Sequence, residues 1–88
     1  MIPQELRLFF WDVNPDSFDP FSHREYTIAR VLEYGDDKAV AWLRANFSKA
    51  EITQVIRNER RLTRKSANFW ALVYGIPADE VAALRQNR

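Results

Sequence analysis

Ser48-Lys49-Ala50-Glu51-Ile52-Thr53-Gln54-Val55-Ile56-Arg57 reads as a helix from its first residue onward. Ser48 and Glu51 have the spacing of a capping box, in which a hydroxyl and a carboxylate each satisfy an orphan amide of the first turn. Ile52, Val55 and Ile56 then recur at i, i+3 and i+4, the period of one buried helical face. The same grammar extends in both directions along the chain.

Upstream, Asp36 can cap a helix that carries Val40, Leu43 and Phe47 on one face. Asn46-Phe47-Ser48 then supplies a residue tolerant of left-handed backbone, an apolar plug and an N-cap. Ser22-His23-Arg24-Glu25 is a second capping-box pattern, opening a helix with Ile28, Val31 and Leu32 inward. That helix is expected to stop at Gly35 in a left-handed C′ position. Pro3 starts a short first helix from Gln4 to about Phe10. An irregular connection from Asp12 to Phe21 follows, marked by Asn14, Pro15 and Pro20.

Downstream, Asn58 to Leu62 reads as a polar, basic turn. Thr63 caps a helix in which Phe69, Trp70 and Val73 are expected to share the inner face, and Gly75 ends it. Pro77 opens a last short helix with Val81 and Leu84. No segment sustains period-2 alternation, so strands are not expected. The predicted fold is all-α: five to six short helices in a single compact domain spanning residues 1–88, with a candidate helix-turn-helix at residues 39–57.

Composition agrees with a packed domain. Of 88 residues, 47% are apolar and 14% aromatic, enough large side chain to offset chain entropy. No apolar run approaches the roughly 20 residues of a membrane-spanning helix. The start Met1-Ile2-Pro3-Gln4-Glu5 has neither a basic nor an apolar leader region, so a cytoplasmic location is expected. Charge is polarised: residues 1–40 carry a net −4 and residues 41–88 a net +5. Most of the positive excess lies between Lys49 and Lys65, a pattern suited to an anionic partner.

Catalytic chemistry is hard to assemble from these residues. The absence of cysteine removes thiolate metal sites and a Cys nucleophile, and His23 is the single histidine. Asp12, Asn14 and Asp16 imitate the start of a calcium loop, but Ser17 and His23 occupy the positions where such a loop needs Gly and Glu. With glycines only at 35 and 75 there is no phosphate-cradling loop. The expectation is a protein that is not an enzyme and that uses no cofactor and no metal.

Two features could carry binding. On the helix opened by Ser48, the outward stripe is Lys49, Ala50, Thr53, Gln54 and Arg57, residue types that read base edges and grip phosphates. Arg60, Arg61, Arg64 and Lys65 would flank that stripe along a nucleic-acid backbone. The same segment also reads as a tri-helical packing unit with a solvated basic face, the blander of the two readings. The second feature is Phe9-Phe10-Trp11. Adjacent helical residues step by about 100°, so three large aromatics sweep an arc that one short helix cannot bury alone. They form either a lid on the core or a protein-binding patch.

Phe10-Trp11-Asp12-Val13, His23-Arg24-Glu25-Tyr26, the run from Arg30 to Asp36, Arg61-Leu62-Thr63 and the run from Ser66 to Leu72 together resemble a family of small helical bacterial proteins. Genes of that family often lie immediately beside those of nucleotidyltransferase-like toxins of the AbiEii abortive-infection type. The resemblance spans about Leu8 to Ile76. It implies an antitoxin-like role: a small partner that binds and restrains the neighbouring toxin enzyme. The candidate helix-turn-helix and its basic stripe leave the alternative of a DNA-binding transcriptional regulator.

Overall fold

The computed structural model describes residues 2–14 and 16–85. Pro15, counted above in the irregular connection, lies outside the described residues. The fold is all-α, with five α-helices and two 3₁₀ turns and no strand among the described residues. Among the described residues no helix is long and apolar enough to cross a membrane.

The chain divides into two compact units, Met1–Asn46 and Phe47–Arg88. The boundary falls inside the 39–57 segment, leaving its first helix in one unit and its second in the other. In the first unit a 3₁₀ turn, Gln4–Phe9, packs against α1 (Arg24–Tyr34) and α2 (Asp37–Asn46), which also pack against each other. Ile2, Leu6, Phe10, Ile28, Val31, Leu32, Ala39 and Leu43 are buried. Thr27 is buried as well, and its hydroxyl donates to the Pro20 carbonyl at 3.1 Å, so the polar group is satisfied inside.

In the second unit α3 (Lys49–Asn58), α4 (Arg64–Tyr74) and the short α5 (Ala82–Arg85) pack on one another, with a 3₁₀ turn at Ala78–Glu80 before α5. Its buried apolar residues include Phe47, Ile52, Val55, Ile56, Leu62, Trp70, Ile76 and Val81.

Several helix ends form as expected. Both halves of the Ser48–Glu51 capping box are made, at 3.1 Å to the Glu51 amide and 2.8 Å back to the Ser48 amide. Asp36 caps α2 through the Ala39 amide, Thr63 caps α4 through the Ser66 amide, and Gly75 ends α4 with φ +67°.

Others differ, each for a local reason. The Ser22–Glu25 box does not form: the helix starts from His23, and the Ser22 hydroxyl donates to Asp19 instead. Gly35 is extended, at φ −70°, not left-handed. Its missing side chain makes room, since a Cβ there would stand 2.6 Å from the Val31 carbonyl oxygen and 3.1 Å from Ala39 Cβ. Asn46 needs no left-handed backbone either. It is the last residue of α2, and its amide side chain donates to the Trp42 carbonyl at 2.8 Å. On α4 the inner face is Ala67, Trp70 and Ala71, while Phe69 and Val73 point out.

Candidate interaction site

In the first unit, Tyr26, Arg30 and Tyr34 recur every fourth residue and line one face of α1. The segment leaving the 3₁₀ turn crosses that face. Phe10 turns inward, and its ring meets Phe18 at 5.5 Å and Tyr26 at 6.0 Å. Trp11 turns outward, 66% exposed.

Arg30 holds the crossing together. Its side chain is 12% exposed, and its guanidinium donates to the Phe9 carbonyl at 3.2 Å, to Asp12 at 2.8 Å and to the Tyr26 hydroxyl. Tyr26 in turn donates to both Asp12 oxygens, at 3.0 and 2.9 Å. The cation also lies 4.6 Å from the Trp11 ring centre, 4.8 Å from Tyr26 and 5.9 Å from Tyr34, within the range of cation–π attraction. A charge removed from water this far requires an ionic partner, and Asp12 supplies it. Hydrogen bonding from Arg30 holds the Asp12 carboxyl below the usual carboxylate range. Burial, helped by the bond to Asp12, pushes the Tyr26 phenol up.

The result is an exposed tryptophan in a fixed pose. Its ring meets the 53%-exposed Tyr34 edge-on at 5.3 Å, with Arg30 against it. Of the three aromatics singled out in the sequence, Phe10 is core and Phe9 half-buried, leaving Trp11 as the outward one. Nearby Asn14 and Asp19 serve the connection itself: Asn14 accepts from the Asp16 amide and Asp19 from the Phe21 amide, both Asx turns.

The basic residues singled out in the sequence, from Lys49 to Lys65, all lie in the second unit. Lys49, Gln54 and Arg57 are exposed on α3, as are Arg60, Arg61, Arg64 and Lys65 beyond it. Thr53 departs from the expected outward stripe: it is buried, and its hydroxyl donates to the Ala50 carbonyl. Three of the cations have internal work. Arg57 meets Glu80 at 3.4 Å, Arg64 donates to the Leu84 carbonyl, and Arg61 grips Glu59 through Nε at 2.7 Å and Nη2 at 3.1 Å. The hydrogen bonds from Arg61 hold the Glu59 carboxyl below its ordinary range.

Residues 6–56 match the model of a family of unknown function, DUF6922. The chain belongs to that family. No curated protein and no solved structure matches it. The DUF6922 stretch contains Trp11, Asp12, Tyr26, Arg30 and Tyr34 and most of α3, while α4 lies beyond it.

Reading the DUF6922 sequence for motifs singles out Trp11 but misses Arg30, Asp12, Tyr26 and Tyr34 as its setting. The available signal was the Tyr26/Arg30/Tyr34 spacing, since a cation between two tyrosines on one helical stripe invites a third aromatic.

Proposed function

We propose that this DUF6922 protein is a noncatalytic, antitoxin-like interaction protein that binds and restrains a partner enzyme, a nucleotidyltransferase-like toxin. The observation that carries the partner-binding part is the pose of Trp11, two-thirds exposed yet packed against Arg30 and Tyr34. Tryptophan and tyrosine dominate interface energetics, and a side chain already held in place loses little freedom on docking, where a loose one costs about 0.5–1.5 kcal/mol. The class of the partner rests on the resemblance to proteins encoded beside AbiEii-type toxins. A cytoplasmic location goes with it.

Co-expression with the product of the adjacent gene tests the reading by size-exclusion chromatography. One co-eluting peak is the expected result, and two independent peaks at micromolar concentration would contradict it.

A second reading, a transcriptional regulator that grips DNA through α3, is favoured by the exposure of Lys49, Gln54 and Arg57 on that helix. Six phosphate contacts from Lys49, Arg57, Arg60, Arg61, Arg64 and Lys65 would make log affinity fall with log salt at a slope of about −5. Failure to retard the upstream promoter fragment at low salt excludes it.

A further inference from the structure

The second unit carries its own exposed apolar face. On α4, Phe69, Leu72 and Val73 are 56%, 73% and 47% exposed, while Ala67, Trp70 and Ala71 are buried beneath them. Positions i, i+3 and i+4 form one contiguous stripe, and Lys65 extends it by one turn toward the N-terminus. Phe69 is braced by Trp70, whose ring meets it edge-on at 5.0 Å. The first turn of α4 holds Arg64 and Lys65 and no acid, and the last turn holds no base. The cations therefore sit at the positive end of the helix dipole, where a negative group is favoured.

These features select an occupant. The unit carries eight basic and four acidic residues, so an acidic occupant suits it better than a basic one. Membrane-surface helices line their polar face with Lys and Arg. Beside this stripe the cations of α4 stand only at its start, and its other face is packed within the unit. A stripe on a helix about 16 Å long matches one short helix laid against it. We propose that the Lys65, Phe69, Leu72 and Val73 face of α4 docks an acidic amphipathic helix of a partner protein. This surface belongs to the second unit, whereas Trp11 belongs to the first, and the proposal does not depend on the antitoxin-like reading.

The test is a nuclear magnetic resonance titration of the full chain with two capped helical peptides. Both carry leucines at i, i+3, i+4 and i+7; one has glutamates at its flanking positions and the other lysines. The glutamate peptide is expected to shift the α4 resonances and to bind at least tenfold more tightly than the lysine peptide. L72S and L72E are expected to weaken it at least tenfold, with unchanged circular dichroism, and W11A is expected to leave it unaltered. Equal binding of the two peptides, no binding, or shifts away from α4 would overturn the proposal. So would vesicles of anionic phospholipid binding through Leu72 where the peptide does not, or a dimer of the free chain that L72S dissociates.

Discussion

The Arg30 guanidinium reaches Asp12 at 2.8 Å while lying 4.6 Å from the ring centre of the neighbouring Trp11. One cation thus closes an ion pair and backs an exposed aromatic. Lysine cannot reproduce this, because it lacks the planar fork that donates to the Phe9 carbonyl, Tyr26 and Asp12 together. Arg30→Lys is expected to cost about 1–3 kcal/mol in urea unfolding, the range for lost charged hydrogen bonds at a largely buried group. It should also lower the fluorescence anisotropy contributed by Trp11.

The Asp12 carboxyl has its folded pKa depressed, first by the Arg30 hydrogen bond. Its contribution to stability is therefore present above the ordinary carboxylate value of about 3.9 and is lost as pH falls through the lower folded value. Asp12→Asn should be less stable than the parent at neutral pH, with the gap closing as pH falls below the ordinary carboxylate value of about 3.9. Asp19 and Glu59 are depressed in the same sense, so the variant keeps a shallower acid limb. Tyr26 has the opposite sign: its pKa is raised, so its contribution fades as pH climbs past about 10. Unfolding followed across pH by circular dichroism checks both limbs.

The two serine boxes separate by structure. Ser48→Ala removes a formed cap and should cost about 1 kcal/mol. Ser22→Ala removes only an exposed bond to Asp19 and should stay within about 0.5 kcal/mol of the parent. Equal losses in thermal unfolding would contradict this assignment of the caps.

The two glycines also separate. Gly35→Ala forces a Cβ against the Val31 carbonyl oxygen, and backbone cannot step aside cheaply, so a loss of about 1–3 kcal/mol is expected. Gly75→Ala meets nothing within 4 Å and pays only for φ +67°, about 1–2 kcal/mol. Asparagine, which tolerates left-handed backbone, should recover part of the loss at 75 and none at 35. Chemical denaturation of the four variants decides it.

What could be read in advance follows from how far each interaction reaches. Asp36, Ser48 and Thr63 cap amides three residues away, and such contacts are written in the local string. Ser22 has the same local pattern, but Asp19 competes for its hydroxyl. The inner face of α4 was ambiguous because Phe69 and Trp70 are adjacent and periodicity alone cannot choose between them. Packing against α3 and α5 selects the face whose alanines, Ala67 and Ala71, permit close approach. The Trp11 setting depends on α1 residues 15 to 23 positions further along, pairings that no local pattern specifies.

The most direct test of the central claim, that Trp11 is a preorganised anchor for a protein partner, is titration calorimetry of the purified adjacent gene product with the parent chain and with Trp11→Ala. The account predicts a saturable complex weakened about 30-fold or more by the substitution, the mark of a hot spot of at least about 2 kcal/mol. An unchanged dissociation constant in a Trp11→Ala variant with parental stability would contradict it.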